Sequence, residues 1–285
     1  MQIESFYHED TQTFCHLVYD EVSKQAAIID PVLDYKPNSG ATSHVFSDEV
    51  IKQVRALGLQ LQYILETHVH ADHLTAAQYI KATLGGEIYI GSHVTKVQKH
   101  FDQVFDLNSE QEALFDHLIK PDESLNLGDD IVIKGISTPG HTPACMSYVV
   151  TAPNEPTHVF VGDTLFMPDV GTARCDFPGG DAHSLYQSIQ TLFALGDDTQ
   201  LHMCHDYPPN NRPVRSVVSV KEQKETNIHC ADDKSEAEFI AMRQARDANL
   251  EAPRLILPSL QVNIRAGVLP EADEAGRRFL KIPLR

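Results

Sequence analysis

Directly behind the apolar run Leu61–Leu65 the chain reads Thr67-His68-Val69-His70-Ala71-Asp72-His73. Three imidazoles and a carboxylate inside six residues constrain the fold more than any other stretch. Imidazole nitrogen and carboxylate oxygen are the ligands that divalent zinc, iron and manganese accept. A rigid strand end followed by a tight loop can aim several of them at one point. The alternative, a polar surface loop with a few solvated histidines, rarely reaches such density. The arrangement also recurs. His141 follows Pro139-Gly140 behind the strand-like Ile131–Ser137, Asp163 follows Gly162 at the end of His158–Gly162, and His205 follows Leu201–Cys204. A strand end followed by a ligand type, four times over, calls for loops that converge on one edge of a sheet.

The intervening pattern supplies the layers around that edge. Thr13–Tyr19 and Gln25–Asp30 read as a hairpin that ends at Asp30-Pro31. A polar, flexible stretch from Tyr35 to Ser47 precedes a helical pattern at Val50, Val54 and Leu57. Helical periodicity over Leu74–Leu84 stops at Gly85-Gly86, a helix C-terminal signal. Glu87–Gly91 reads as a strand, residues 93–121 as helical or irregular, and Cys145–Val150 as another strand. Ser184–Leu195 reads as a helix, and residues 217–250 as mostly polar and helical. Strand pairs mixed with helices throughout predict an α/β (α+β) fold of sheets covered by helices. No linker divides the chain, so the expectation is one domain over 1–285 with a helical C-terminal section from about 208 to 285.

Composition narrows the function. The 285 residues hold 23 Lys and Arg against 40 Asp and Glu, a net charge of −17. That balance disfavours nucleic acid, whose phosphates call for clustered cations. No apolar run reaches the roughly 18 residues of a membrane span. The N-terminus has no secretory pattern, and five cysteines without a Cys-x-x-Cys pair do not form a disulfide framework. These features point to a cytoplasmic location with free thiols.

With its later elements His141, Asp163 and His205, the run His68-x-His70-x-Asp72-His73 resembles the signature of the metallo-β-lactamase superfamily. The resemblance spans roughly residues 13 to 210. It implies an αββα four-layer sandwich with the metal site at one edge of two packed sheets. His70 stands where flavodiiron members have Glu, and the length leaves little room for the inserted domain of nucleic-acid processing members. Enzymes similar to glyoxalase II and persulfide dioxygenases remain.

Two ligand arrangements are open. Two zinc, iron or manganese ions would use His68, His70 and His141 for one and Asp72, His73 and His205 for the other, with Asp163 bridging. That suits hydrolysis of a glutathione thioester. One Fe(II) would use only His68, His141 and Asp163, a two-His, one-carboxylate triad with open positions. His70, Asp72, His73 and His205 would then orient ligands and position water.

The segment Arg174-Cys175-Asp176-Phe177 is similar to the Arg-Thr-Asp-Phe element of the dioxygenases, with Cys175 in place of Thr. His205-Asp206-Tyr207 is similar to their His-Asp-Tyr. The resemblance therefore implies oxidation of glutathione persulfide, or a related small persulfide, by O2. Arg174 is expected to bind a substrate carboxylate, Tyr207 the thiol or peptide portion, and Lys224 a second carboxylate. Arg277 and Arg278 keep the glutathione thioester reading open. Cys175 is expected to be a buried, inert thiol; the contrary reading makes it a redox switch or a carrier of sulfane sulfur in a non-catalytic protein. Cys145 and Cys204 neighbour ligands in sequence without belonging to the pattern. His8, His44 and His229 are expected at the surface. A homodimer through flat apolar faces is compatible with this architecture.

Overall fold

Alternation with period two along the strands decides the layering, because successive side chains of a strand face opposite ways. The computed structural model describes residues 1–107 and 114–284. Its elements are β1 (Gln2–His8), β2 (Thr13–Tyr19), β3 (Gln25–Ile29), β4 (Val32–Lys36), β5 (Ala41–Ser43), α1 (Val45–Ala56), β6 (Gln60–Glu66), β7 (Leu74–Thr75), α2 (Ala77–Leu84), β8 (Glu87–Gly91), α3 (Val94–Phe105) and β9 (His117–Ile119). The second half adds β10 (Ser124–Leu127), β11 (Ile131–Ser137), β12 (Met146–Thr151), β13 (His158–Phe160), α4 (Ala182–Phe193), β14 (Gln200–His202), β15 (Val217–Ser219), α5 (Val220–Thr226), α6 (Glu236–Asp247) and α7 (Ile256–Asn263).

Two six-stranded sheets result, ordered β1-β2-β3-β6-β8-β9 and β10-β11-β12-β13-β14-β15. Val18, Ala27, Ile29 and Leu65 of the first sheet meet Ile131, Ile133, Met146, Tyr148 and Phe160 of the second in one apolar cluster. The alternate residues Leu17, Ala26, Ile28 and Ile64 face the other way, onto Val50 and Val54 of α1, Ile80 of α2 and Phe101 of α3. The outer face of the second sheet packs Val149, Val159 and Leu201 against Leu185, Ile189 and Leu192 of α4 and Phe239 of α6. The layers are therefore helix, sheet, sheet, helix, the αββα order expected. The C-terminal helices join both outer layers, α7 beside α3 and β7, and α6 beside α4.

Several elements escaped the sequence pattern. β1 lies at a sheet edge and, among the described residues, pairs with β2 alone, so its partial burial gives little alternation. The stretch from Tyr35 to Ser47, expected to be flexible, instead contributes to the β4–β5 pair. The expected helix Leu74–Leu84 begins only at Ala77, because Leu74 and Thr75 pair with β4. The region 93–121 holds α3 and β9, and residues 108–113 of it lie outside the described residues. Residues 217–250 begin with a strand, β15, before their helices.

Backbone hydrogen bonds stitch the two sheets together at the edge where the ligand loops emerge. The Phe14 amide donates to the Cys204 carbonyl at 2.7 Å and the Met146 amide to the Thr67 carbonyl at 2.9 Å. Gly140, just before His141, has φ +142°, and a Cβ there would lie 2.3 Å from the Leu185 Cα. The loop carrying His141 thus runs directly against α4, where the Ser188 hydroxyl donates to the Pro139 carbonyl at 2.6 Å. Gly140→Ala should cost about 2–4 kcal/mol through overpacking and backbone strain, read as a lowered urea midpoint. Gly196→Ala, where φ is +107° but no atom lies within 4 Å, should cost about 1 kcal/mol. Equal midpoints for the two variants would contradict this account.

Candidate metal centre

Each ligand-type residue arrives from the end of a different element. β6 delivers His68 and the loop to His73, the turn between β11 and β12 delivers His141, the segment after β13 delivers Asp163, and the one after β14 delivers His205. They meet in two adjoining groups whose ligand atoms lie within 4.8 Å of one another: His68, His141 and Asp163, and His70, Asp72, His73 and His205. Asp163 faces both. Its Oδ2 is 3.9 Å from His68 Nε2 and 3.6 Å from His141 Nε2, while its Oδ1 is 3.3 Å from His205 Nε2. His205 Nε2 is also 3.2 Å from Asp72 Oδ2. His70 adjoins both groups, its ring centroid 4.1 Å from that of His68 and 4.2 Å from that of His73.

The remote ring nitrogens are held by the protein. His141 Nδ1 lies 2.8 Å from the Arg174 carbonyl, so it must carry the proton. His205 Nδ1 lies 3.2 Å from the Gln12 carbonyl, with the Thr13 hydroxyl equally near. His70 Nε2 is 3.0 Å from Asp30 Oδ1 and 3.5 Å from Glu66 Oε2. His68 Nδ1 is 3.0 Å from the Thr67 hydroxyl, which itself donates to Asp30. Such bonds fix which nitrogen is bare and where it points.

The inward atoms test whether a cation fits. Among the described residues, His68 Nε2, His70 Nδ1, Asp72 Oδ2, His73 Nε2, Asp163 Oδ1 and His205 Nε2 are buried without a hydrogen-bond partner. The short His205 contacts therefore lack hydrogen-bond alignment. Each unpartnered buried group costs about 1–3 kcal/mol, and six gathered at one spot are what a divalent cation would satisfy. Burial, together with His70 and His141, holds the His68 imidazole well below its usual range, and burial brings His73 down to about 4. Both rings are neutral at pH 7, the form that can ligate.

The sequence found the ligand types but missed their supports. Asp30 and Glu66 are buried carboxylates on His70, and the only trace in the sequence is an acidic residue closing each of two apolar strands. Asn263, whose side chain bonds the carbonyls of His70 and His73, gave no sequence signal, since α7 lies 190 residues away.

Expected substrate contacts fare unevenly. Tyr207 reaches the site and stacks on His205, centroids 5.5 Å apart at 12°. Arg174 does not present a free fork. Its guanidinium donates to both Asp176 oxygens at 2.5 and 2.6 Å and to the Glu251 carbonyl at 2.6 Å. Phe177, three residues on, stands edge-on to His141 at 5.1 Å. The Arg174–Phe177 element therefore braces His141. Lys224 pairs with Asp197 at 2.7 Å, outside the ligand cluster. Arg277 pairs with Asp273, and Arg278 donates to the Pro270 carbonyl.

Cys175 is buried, its backbone amide donates to Asp247 at 2.8 Å, and burial pushes its thiol up to about 12. That is the inert state, and it removes the basis for a low-pKa thiol. Cys204 lies within the cluster, near Asp163 and His205; burial, with Asp30 and Asp163, keeps its thiol protonated. All five cysteines are free. His44 is exposed and stacks on Tyr79, but His8 and His229 are buried, contrary to expectation. His8 bonds Thr11 and Asp34, and His229 Nδ1 accepts the Thr172 amide at 3.0 Å. Partners distant in sequence made the difference.

A pocket opens beside His141, walled by Val69, Ala71, Val97, Phe101, Phe177 and Leu260. Among the described residues no helix is long and apolar enough to cross a membrane.

Comparison with known proteins agrees with this construction. Residues 8–205 match the model of the metallo-β-lactamase superfamily. The chain is 49% identical to a "Probable metallo-hydrolase" of Burkholderia pseudomallei, over 100% of this chain and 99% of that one. It is 43% identical to "Glyoxylase B2" of Dictyostelium discoideum, over 99% and 97%. It is 30% identical to the human mitochondrial "Persulfide dioxygenase ETHE1", over 90% and 85%. The crystal structure of ETHE1 from Myxococcus xanthus superposes with a TM-score of 0.74 at 29% identity, covering 94% of this chain and 100% of the other. The strand-end ligands, the four layers and these similarities lead to one conclusion: the chain belongs to the metallo-β-lactamase superfamily.

Proposed function

We propose that the protein is a non-haem iron persulfide dioxygenase, with one Fe(II) held by His68, His141 and Asp163. The observation that carries this reading is that His68, His141 and Asp163 form a group of their own, two imidazoles and one carboxylate whose ligand atoms lie within 4.8 Å of one another. Asp163 Oδ2 lies 3.6 and 3.9 Å from the two imidazole nitrogens of the first group. Those gaps are too long for hydrogen bonds and suit a cation placed between the atoms. The similarity to ETHE1 over nearly the whole chain supports the same reading.

Iron in such a triad supplies open positions for O2 and for a sulfur anion. The overall reaction is RSSH + O2 + H2O → RSH + SO3²⁻ + 2H⁺, in which the terminal sulfur is oxidised and dioxygen is reduced. The chain's own groups orient and shield. The Arg174 carbonyl and the Phe177 edge fix the His141 ring. Val69, Ala71, Val97, Phe101, Phe177 and Leu260 give the His141 side of the site an apolar lining. Tyr207, held protonated by burial with the Asp72 and Asp163 carboxylates nearby, is placed to donate a hydrogen bond to the thiol portion. His70, Asp72, His73 and His205 hold water and protons for the hydrolytic half of the reaction.

A second reading rests on the bare atoms of the second group and on the metallo-hydrolase and glyoxylase names of the two relatives. With two cations, the site would hydrolyse a glutathione thioester. Metal analysis and two assays on one preparation separate the readings. About one iron per chain and O2 uptake with glutathione persulfide are expected; two metals per chain with rapid thioester hydrolysis would overturn the proposal. His70→Ala should leave most iron bound, because the triad does not include His70, and loss of all metal would argue against the triad.

The brace on His141 makes a separate prediction. Asp176→Ala frees the Arg174 guanidinium and should weaken iron binding about 10–100-fold, the usual effect of removing an outer partner of a ligand. Chelator competition would show it, with the thermal midpoint little changed because Asp176 is partly exposed. Wild-type affinity in that variant would mean the Arg174–Asp176 pair does not hold the ligand.

A further inference from the structure

α7 places an amide side chain where the ligand loop turns. Asn263 is 3% exposed. Its Nδ2 donates to the His70 carbonyl at 2.8 Å and to the His73 carbonyl at 2.7 Å. Its Oδ1 accepts the Thr75 amide at 2.9 Å. One carboxamide thus uses both its N–H groups and its oxygen on three backbone groups of the ligand loop. The helix that carries it is itself anchored. Gln98 of α3 donates to the Ile264 carbonyl at 2.9 Å, and Leu260, Val262 and Ile264 belong to the apolar cluster under the first sheet. On another face of α7, Gln261 exchanges two hydrogen bonds with the Lys281 backbone, both at 2.8 Å.

Asparagine is unfavourable inside a helix because its side chain competes for backbone groups, and it suits helix ends for the same reason. Here that competition is directed outward. The carbonyls of His70 and His73 bracket Ala71 and Asp72, so clamping both fixes the turn on which His70, Asp72 and His73 stand. Burial without Asn263 would leave two carbonyls and one amide unpartnered in the interior, and the turn would open to satisfy them.

We propose that Asn263 is a positioning residue for the metal loop, through which the C-terminal section, outside residues 8–205, sets metal affinity. The proposal rests on the reading of His68–His73 as a metal loop and holds for one cation or two. Asn263→Asp is nearly isosteric, keeps the acceptor for Thr75 and removes both donors. Asn263→Leu removes all three bonds. The control is Gln261→Ala, which loosens the same helix from the tail and leaves the loop untouched.

Chelator competition with Zn(II), absorption spectra of the Co(II)-loaded protein and the thermal midpoint of the metal-free protein are measured on each. Expected are an affinity about 10–100-fold weaker and altered Co(II) ligand-field bands for both Asn263 variants. Gln261→Ala should lower the midpoint and keep wild-type affinity and spectrum. Asn263 variants that bind like wild type would overturn the proposal. So would affinity falling in step with the midpoint across all three, which marks stability alone. Wild-type protein offers a test that needs no variant: the Thr75 amide should resist hydrogen exchange in the metal-free state, and rapid exchange there would show that Asn263 does not hold the loop. A wild-type chain that takes up no divalent cation would sink the metal-loop reading before any substitution is compared.

Discussion

Six buried lone-pair atoms converge at one sheet edge with no hydrogen-bond partner among the described residues, and much of the architecture exists to keep them there. Left alone, such groups would rotate toward water or toward one another. Each imidazole is prevented from doing so by a bond on its far nitrogen or at its backbone: Gln12 and Thr13 for His205, the Arg174 carbonyl for His141, Asp30 for His70, Thr67 for His68, and Asn263 for the backbone of His70 and His73. These partners come from β2 and the turn before it, from the segments after β3, β6 and β13, and from the C-terminal helix. A metal centre of this kind is therefore a property of the assembled layers, since no single loop could hold its own ligands in place.

That dependence explains what the sequence disclosed. Ligand types at strand ends were legible because they combine a short-range signal with rare residue types. His68 to His73, His141, Asp163 and His205 all lie where the strand-then-ligand pattern put them. Strands buried on both faces, such as β2 and β3, were also legible from their apolar runs. The supports were not. Asp30 and Glu66 look like ordinary strand-ending carboxylates until His70 is seen between them. Arg174 illustrates the same limit: the element containing it was recognisable, but its role was not. Whether a guanidinium meets a substrate or a neighbouring carboxylate depends on Asp176 and on the carbonyls of residues 250 and 251, contacts that only tertiary structure defines. His229 was misplaced to the surface for the same reason, its partner Thr172 lying 57 residues away.

Charge arrangement bears on how a substrate would be chosen. The chain is strongly acidic, and the cations nearest the sequence motifs are already matched. Arg174 is held by Asp176, Arg212 by Asp169 and Asp206, Arg215 by Glu222 and Lys224 by Asp197. A substrate carboxylate arriving at any of these would have to displace a carboxylate that is already bonded, often through two oxygens, and the exchange gains little. These side chains therefore offer little selectivity for a substrate carboxylate. Nearer the ligands, an apolar wall and the braced His141 imidazole line one pocket, and the buried, protonated Tyr207 stacks on His205. With the nearby cations already paired, discrimination would fall to the ligand end of the site, where persulfide and thioester readings call on nearly identical residues.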